Sequence, residues 1–230
     1  MVNPILVALD VPSAKDALRL AEALEAHVGG YKVGLELLMG AGPAVVTTLA
    51  GLGKPVFCDA KLHDIPNTVA AAAARIGALG ARWVTVHAAG GAAMLQAAVE
   101  GLADGAGGRD AGVLAVTVLT SLDDRALAAA GVADGVQAQT GRLAVLARSA
   151  GVEGVVCSVA ELATVSHHAP GLLKVTPGVR PAGTSVGDQK RVATPRRAVS
   201  DGADLIVIGR PITRAADPVA AAEAILAELT

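Results

Sequence analysis

Eight short apolar runs alternate with alanine-rich segments along nearly the whole chain, and this alternation is the strongest constraint on its fold. The runs are rich in Val, Ile and Leu without regular polar alternation, which is typical of parallel strands covered on both faces. The segments between them have helix-forming composition. In chain order the runs are "ILVALD", "YKVGLE", "PVFCDAK", "WVTVHA", "GVLAVTVLT", "GVVCS", "LLKVTPG" and "LIVIGR".

Eight consecutive βα units in a chain of 230 residues predict a (β/α)8 TIM barrel of the α/β class. A doubly wound open sheet is the main alternative, and the count of eight argues against it. No linker, charge block or low-complexity tail divides the sequence, so a single domain is expected over residues 1–230. The segment "RAADPVAAAEAILAEL" is expected to close the chain as its final helix.

Composition narrows the range of partners. Hydrophobic residues make up 53% of the chain and charged residues 17%, so a sizeable core can be buried and disorder is not expected. The formal net charge of −2 gives no reason to expect nucleic acid or an anionic membrane as a partner. With one Trp, one Tyr and one Phe, the chain cannot build an aromatic platform for single-stranded nucleic acid.

The cysteines and the amino terminus indicate where the protein works. Cys58 and Cys157 both lie within apolar runs, which favours buried, reduced thiols over a disulfide or a metal site. The opening "MVNPILVALD" has no basic region, and its apolar run is too short for a signal peptide. No run approaches the roughly 18 apolar residues of a membrane span. The expected location is therefore the cytoplasm.

Charged side chains end several of the apolar runs. In "VFCDAKLHDIPNTV", residues 56–69, an apolar strand finishes with Asp59 and Lys61, and Asp64 follows. Because side chains alternate faces along a strand, Asp59 and Lys61 are expected on the same side. In a barrel of this kind the carboxyl ends of the strands form the active-site face. The other polar residues at or near such ends are Asp10, Lys32, His87, Thr120 and Arg210.

Each of these residues also has a purely structural interpretation. Asp64 stands just before Ile65-Pro66 and could cap the next helix. Asp10 and Lys32 could form an ordinary ion pair between adjacent strands, and His87 could be a satisfied core histidine. Buried charges are costly unless they are paired. Two acids and two lysines at one barrel mouth therefore favour a functional charge network.

The loops after the last two runs are typical of a phosphate site. The seventh run leads into "VTPGVRPAGTSVGDQKRV", which contains Gly178, Gly183 and Gly187, and the eighth run leads into "IGRPIT". Barrels often bind phosphate with these two loops and a nearby helix N-terminus. Glycine spacing alone also fits an ordinary surface loop. Together with Gly209 and Arg210, whose guanidinium suits phosphate oxygens, it predicts a phosphorylated ligand.

The segment "DAKLHDIPNTV" is similar to the D-x-K-x-x-D signature of the orotidine 5′-monophosphate decarboxylase family. The resemblance covers essentially the whole chain. It implies a homodimer, without metal or organic cofactor, that converts orotidine 5′-monophosphate to uridine 5′-monophosphate in de novo pyrimidine biosynthesis. The other matching motifs are, in order, "VALD", "YKVG", "VHAAGG", "VLTS", "VTPGVR", "DQKRVATP" and "IGRPIT".

The resemblance also implies roles for individual residues. The catalytic charge network would comprise Lys32, Asp59, Lys61 and Asp64, with Lys61 as the proton donor. Asp64 would reach across the dimer interface into the partner's site, together with Thr68. His87, in the matching "VHA" motif, would have a supporting role. The implied substrate-binding residues are Asp10 and Lys32 for the ribose, Thr120 for the pyrimidine, and Arg180, Gln189 (on a closing lid), Gly209 and Arg210 for the phosphate.

The chemistry of that family accounts for opposite charges at the end of an apolar strand. Loss of carbon dioxide from C6 leaves a carbanion with no adjacent π-system to absorb the charge. A fixed ammonium group beside C6 stabilises this charge and supplies a proton, with little reorganisation in a water-poor site. Asp59 and Asp64 would flank Lys61 and hold it in place. Asp59 could also destabilise the departing carboxylate of the bound substrate.

Two other functions are consistent with part of the pattern. A metal-dependent sugar-phosphate lyase of the same superfamily shares D-x-K-x-x-D, but holds Mg²⁺ with an acid at the end of the second strand. This sequence has Lys32 there, which would repel the metal. A barrel that binds nucleotides without catalysis would most easily show the loss of Lys61 or of an acid of the network. All of them are present.

Overall fold

The computed structural model describes residues 3–181 and 193–229. Its strands are all parallel and form a closed barrel in the order β1 to β8, with β8 pairing β1. The predicted (β/α)8 barrel is confirmed and the open-sheet alternative is wrong, while the single domain over residues 1–230 stays a prediction. The strands are β1 Ile5–Ala8, β2 Gly30–Val33, β3 Val56–Leu62, β4 Trp83–His87, β5 Gly112–Val116, β6 Gly154–Val156, β7 Leu173–Thr176 and β8 Leu205–Ile208.

Helices separate the strands and surround the barrel. The final helix begins at Pro218 rather than at the start of the expected segment, because the Asp217 side chain accepts hydrogen bonds from two backbone N–H groups of its first turn. Single 3₁₀ turns occupy Ala88–Gly90 and Val159–Glu161. The α-helices of the described residues are α1 Ala14–Leu24, α2 Leu35–Ala41, α3 Ala44–Ala50, α4 Pro66–Ala78, α5 Ala92–Ala106, α6 Asp124–Ala129, α7 Gly135–Ser149, α8 Leu162–His168, α9 Pro195–Ser200, α10 Arg210–Thr213 and α11 Pro218–Glu228.

Strand residues divide alternately between two apolar layers. On β1, Leu6 and Ala8 belong to the cluster inside the barrel, and Ile5 and Val7 belong to the larger cluster between the barrel and the helices. Both faces of each strand are thus buried, which explains the uniformly apolar runs in the sequence. The buried residues of the inner cluster are Leu6, Ala8, Phe57, Trp83, Leu114, Val175 and Val207.

Helix α4 packs backbone to backbone against α5. A Cβ added at Gly101 would lie 2.2 Å from the carbonyl oxygen of Ala70, and one added at Gly105 would lie 1.9 Å from that of Ala74. Any larger side chain at either position would force the two helices apart. This contact fixes the position of α4, and α4 in turn anchors the loop that carries Asp64 directly after β3.

A polar network closes the amino-terminal end of the barrel, opposite the strand ends that carry the predicted site. Two guanidinium nitrogens of Arg82 donate to the Glu153 carboxylate at 2.7 Å each, and Trp83 Nε1 donates to it at 3.1 Å. Arg82 Nε also lies 3.0 Å from an oxygen of Asp110. These residues stand immediately before or at the start of β4, β5 and β6. The network therefore ties three strands together at the end that contributes stability rather than chemistry.

Both cysteines are buried and neither forms a disulfide, as expected. Burial is the main reason that the pKa of the Cys58 thiol rises to about 12, with Asp59 adding to the effect and Lys32 opposing it. Cys58 is therefore a protonated core thiol rather than a reactive thiolate. Among residues 3–181 and 193–229, no helix has both the length and the apolar character needed to cross a bilayer.

Candidate active site

A cavity of about 470 Å³ opens at the carboxyl ends of the strands. Four of the residues predicted from sequence form a charged part of its wall, namely Asp10, Lys32, Asp59 and Lys61. Four others line the same cavity, namely Thr120, Arg180, Gly209 and Arg210. The structure thus brings eight of the predicted site residues to one cavity, and the roles assigned to them stay predictions. Gln189, Gly183 and Gly187 lie outside the described residues.

Asp59 and Lys61 stand on an irregular part of β3. The pairing of β3 with β4 advances from Cys58↔Val84 to Leu62↔Val86, so four steps on β3 match two steps on β4. Lys61 has φ +50°, and it is the one non-glycine residue with positive φ in the described part of the chain. A bulge of this kind re-aims side chains, and bulges are common beside active sites. Regular strand alternation predicted the shared side, but it did not predict the bulge.

The charged wall is a continuous series of alternating charges. Lys32 Nζ lies 3.1 Å from Asp10 Oδ1 and 3.6 Å from Asp59 Oδ2. Lys61 Nζ donates to the same Asp59 oxygen at 2.7 Å. The side chains of Lys32 and Asp59 are only 10% and 13% exposed, so their charges are shielded from water and interact strongly. The series is larger than the ordinary ion pair between Asp10 and Lys32 considered as an alternative.

Asp59 is the shared carboxylate of this series, and its environment keeps it ionised. Burial by itself would raise the pKa of the Asp59 carboxyl. The ammonium groups of Lys32 and Lys61, with hydrogen bonds from Lys61 and Thr85, outweigh burial and hold the pKa below its ordinary value. A negative charge is therefore maintained between the two lysines at neutral pH.

Thr85 on β4 supports the charged wall, and its role was not predicted from the sequence. Its hydroxyl accepts a hydrogen bond from the Lys61 backbone N–H at 2.9 Å and donates one to Asp59 Oδ1 at 2.9 Å. The residue is fully buried. The one signal in the sequence is a polar residue in the middle of the apolar run "WVTVH". Thr85 is two residues after the inward-facing Trp83, so strand alternation places its side chain inside the barrel as well.

Three further residues at the cavity were also missed. Gly34, directly after β2, leaves room for the charged series, since a Cβ there would lie 2.5 Å from Asp10 Oδ1 and 2.8 Å from Lys32 Nζ. Glu36 and Arg214 contribute to the cavity wall. In the sequence, Gly34 and Glu36 look like an ordinary helix start, and Arg214 looks like a surface residue. Gly34 ends the matching motif "YKVG", but nothing in that motif indicates the space it leaves, and no matching motif contains Glu36 or Arg214.

Asp64 and Thr68 are exposed and are not among the described residues that line the cavity. The Asp64 carboxylate accepts a hydrogen bond from the Ile65 backbone N–H at 2.6 Å. Ile65, not Asp64, is the N-cap residue of α4, and α4 has no side-chain capping bond. The helix-capping interpretation of Asp64 is therefore wrong. Its position in a partner's site stays a prediction.

His87 lies at the edge of the charged wall and is half-buried. Its ring centroid is 5.4 Å from that of His63. The pKa of His87 is lowered, first by burial and then by the charges of His63 and Lys61, with Asp59 opposing them. The imidazole is therefore neutral at neutral pH and can both donate and accept a hydrogen bond. Its supporting role stays a prediction.

Among residues 3–181 and 193–229, no cluster of three or more His, Cys, Asp and Glu side chains is arranged to hold a metal ion. Within the cavity, Asp10 and Asp59 are both occupied by the Lys32 ammonium group. The acids of the site are thus arranged around lysines.

Comparison with known proteins identifies the family of this chain. Residues 3–225 match the family described as orotidine 5'-phosphate decarboxylase / HUMPS. Two similar curated proteins, both named orotidine 5'-phosphate decarboxylase, come from Paramagnetospirillum magneticum and from Anaeromyxobacter sp. strain K. The first is 50% identical and covers 100% of this chain and 99% of its own length. The second is 55% identical, with 98% of this chain and 97% of its own length covered.

Solved structures of similar proteins have the same fold. The orotidine 5'-phosphate decarboxylase of Lactobacillus acidophilus superposes with a TM-score of 0.87 at 39% identity, over 99% of both chains. The enzyme of that name from Pyrococcus horikoshii OT3 gives a TM-score of 0.80 at 26% identity, over 98% of both chains. The match extends across the barrel and the elements that carry the charged wall. This chain therefore belongs to the orotidine 5'-phosphate decarboxylase / HUMPS family.

Proposed function

We propose that this protein decarboxylates orotidine 5′-monophosphate to uridine 5′-monophosphate. The observation that carries the proposal is the series of alternating charges from Asp10 through Lys32 and Asp59 to Lys61 at the wall of the cavity. Relatives that are about half identical over their full length are named for this reaction. The chain belongs to the same family as these relatives. Its alternating charges suit a reaction in which negative charge develops on a carbon atom, as it does in this decarboxylation.

The mechanism follows from what the ammonium group of Lys61 can do. The bond between C6 and the carboxylate breaks, carbon dioxide leaves, and the electron pair remains on C6. The Lys61 ammonium stabilises this charge and transfers a proton to C6, and the resulting amine regains a proton from solvent. Asp59, at 2.7 Å from Lys61 Nζ, fixes the ammonium group before the substrate arrives. Preorganised charge of this kind lowers the barrier without reorganisation during the reaction.

The remaining cavity residues bind the parts of the substrate that do not react. Asp10 and Lys32 are suited to the ribose hydroxyls, and Thr120 to the pyrimidine. Arg180 and Arg210 line the same cavity and supply guanidinium groups for the phosphate, together with the Gly209 backbone and Gln189. Binding energy from the phosphate can then organise the site around C6, so that truncated substrates lose turnover as well as affinity.

The active form is proposed to be a homodimer in which Asp64 and Thr68 enter the partner's site. Support comes from exposed apolar side chains beside Asp64 in the sequence and on the preceding βα unit. Ile65 is 67% exposed, and Leu35 and Met39 of the preceding βα unit are 47% and 73% exposed. Large apolar side chains at such exposure are covered favourably by a second copy of the same surface.

The test of the proposed function is direct. Purified protein is mixed with orotidine 5′-monophosphate and a chelator, and the ultraviolet change from orotate to uracil is followed. We expect rapid conversion by the wild type and a loss of at least about 1,000-fold in kcat for Lys61→Ala, because the proton donor and the main stabilising charge are both removed.

Lys54→Ala is the matched control, since Lys54 precedes the amino-terminal end of the same strand and donates to the Val28 carbonyl oxygen at 3.2 Å. Its kcat should equal that of the wild type. Folded wild-type protein without conversion would refute the proposed function. Activity that requires a metal would instead favour the metal-dependent sugar-phosphate lyase.

A further inference from the structure

Thr85 holds the two central residues of the charged wall at the same time. Its Oγ1 accepts from the Lys61 backbone N–H and donates to Asp59 Oδ1, each at 2.9 Å. Thr85 is 0% exposed, and it is not among the described residues that line the cavity. It therefore contacts Asp59 and Lys61 from a side that does not line the cavity.

The hydrogen bond from the Lys61 backbone N–H to Thr85 matters because the bulge in β3 interrupts the regular backbone pairing with β4. Between Cys58 and Leu62 the β3–β4 ladder is interrupted, and Lys61 lies inside that interruption. A buried N–H without a partner costs about 1–3 kcal/mol. The Thr85 hydroxyl supplies the missing acceptor at the one described non-glycine residue with positive φ. It thus stabilises the backbone conformation from which the Lys61 side chain extends.

The second bond sets the orientation of the Asp59 carboxylate. Asp59 Oδ1 is held by Thr85, while Oδ2 faces Lys61 at 2.7 Å and Lys32 at 3.6 Å. With one oxygen fixed, the carboxylate cannot rotate, and the other oxygen stays between the two ammonium groups. Both bonds use one hydroxyl as donor and acceptor together. Serine can do this, whereas valine, of nearly the same shape, cannot.

We propose that Thr85 is a positioning residue for the decarboxylation, which acts by fixing the Lys61 backbone and the Asp59 carboxylate in their reactive arrangement. This inference rests on the proposed function. The proposed role of Thr85 differs from that of the residues that bind the substrate. Removal of the Thr85 hydroxyl leaves the proposed substrate-binding residues Arg180, Arg210 and Thr120 in place. The expected effect is therefore on turnover and not on affinity.

Steady-state kinetics with orotidine 5′-monophosphate test the inference. Thr85→Val should lower kcat by roughly 10- to 100-fold, because small displacements of catalytic groups have effects of this size. KM should change little, and Thr85→Ser should restore most of the turnover. Thr140→Val is the matched control. Thr140 is a fully buried threonine on α7 whose hydroxyl has no hydrogen-bond partner among the described residues, so its kcat should stay at the wild-type value.

A titration of the Asp59 carboxyl group by ¹³C NMR gives a readout that does not depend on turnover. The hydrogen bond from Thr85 helps to lower the pKa of Asp59. Its removal should raise that pKa, while the other charged groups that act on Asp59 or respond to it, Lys32, Lys61 and His87, are unchanged. Thr85→Ala removes the same hydroxyl without valine's bulk, and serves if the valine variant fails to fold.

The outcomes separate the two proposals. Wild-type kcat in Thr85→Val overturns the inference. Equal losses in Thr85→Ser and Thr85→Val also overturn it, since packing rather than the hydroxyl would then be responsible. If the wild type itself has no decarboxylase activity, the proposed function fails. In that case an unchanged Asp59 pKa in the Thr85 variants would overturn the positioning of Asp59 as well.

Discussion

Asp59 Oδ2 accepts a hydrogen bond from Lys61 Nζ at 2.7 Å, although the two residues are separated by a single position on the same strand. The contact is made on the irregular part of β3, where Lys61 adopts a positive φ. Strain of this kind persists only where surrounding contacts enforce it. The pair therefore forms a rigid unit, and its properties can be tested one residue at a time.

Asp59→Asn should lower kcat by at least about 100-fold while the chain stays folded. The amide keeps the shape of the side chain but removes the charge that holds both Lys32 and Lys61. Steady-state kinetics at saturating substrate measure the effect, with circular dichroism as the check on folding. Asp110→Asn, at the opposite end of the barrel, is the control and should keep wild-type turnover. Wild-type kcat in Asp59→Asn would contradict the role of the charge.

Gly34→Ala tests the space that the charged series needs. The new Cβ would lie 2.5 Å from Asp10 Oδ1 and 2.8 Å from Lys32 Nζ, so one of these side chains must move. Overpacking costs about 1–3 kcal/mol in a packed core, and if displacement of the charged series costs as much in transition-state binding, kcat/KM falls roughly 5- to 150-fold. Gly40→Ala in α2 is the control, since the nearest atom to its Cβ would be 3.3 Å away. Equal kcat/KM for both variants would mean that Asp10 and Lys32 tolerate displacement.

Parallel strands and charges at their ends can be predicted from this sequence because both are local patterns. An apolar run identifies a buried strand, and a charge at its end, such as Asp59 or Lys61, stands out against that run. The same pattern indicated Thr120 and Arg210, and the resemblance to the decarboxylase family added Arg180; the structure brings all three to the same cavity. These predictions needed no knowledge of how one strand is aligned with the next.

Thr85 and Gly34 could not be predicted in the same way. A threonine is ordinary in a strand, and a glycine is ordinary before a helix. The importance of Thr85 depends on the bulge in β3, which is a property of the alignment between two strands. The importance of Gly34 depends on where the Asp10 and Lys32 side chains meet. Both features arise only from tertiary packing, and a local sequence pattern carries no information about it.

His87 should make the stability of the protein depend on pH. Its pKa in the folded state lies below the ordinary 6.5, mainly through burial. Below pH 6.5 the unfolded chain therefore binds a proton that the folded chain does not yet bind, and the free energy of unfolding falls until the folded-state pKa is passed. When the pH is lowered from about 8 to about 5, the free energy of unfolding should fall less in His87→Gln than in the wild type. Urea unfolding at each pH measures this free energy.

The control for this titration is His167→Gln on the exposed surface of α8. It should keep the pH dependence of the wild type. If His87→Gln and the wild type lost the same free energy of unfolding over this interval, the buried histidine would not be responsible for the acid sensitivity.

Glu153→Gln should reduce stability without affecting turnover. The change weakens the bonds that Glu153 accepts from Arg82 and Trp83 at the amino-terminal end of the barrel. Hydrogen bonds to charged groups contribute about 1.5–3 kcal/mol, which corresponds to a decrease of roughly 3–12 °C in Tm for a chain of this size. Asp134→Asn, in an exposed ion pair with Arg142, should change Tm by much less. A large loss of kcat in Glu153→Gln would contradict the separation of the two ends of the barrel.

Mixing two inactive variants tests the composition of the active site. Lys61→Ala and Asp64→Ala should each be nearly inactive alone, because each homodimer would lack one group in both of its sites. In a heterodimer of the two, one site contains both Lys61 and the partner's Asp64, while the other contains neither. Random exchange of subunits should therefore restore about a quarter of the wild-type activity.

The recovered activity should rise with the time allowed for subunit exchange and should be absent when Lys61→Ala is mixed with Asp59→Asn. In that control pair both defects lie in residues that contact each other within one chain, at 2.7 Å, so no heterodimer contains an intact site. Recovery in the first mixture alone means that Asp64 acts across the interface. No recovery, with subunit exchange demonstrated independently, means that each chain completes its own site, and the exposed loop at Asp64 must then move toward Lys61 when substrate binds.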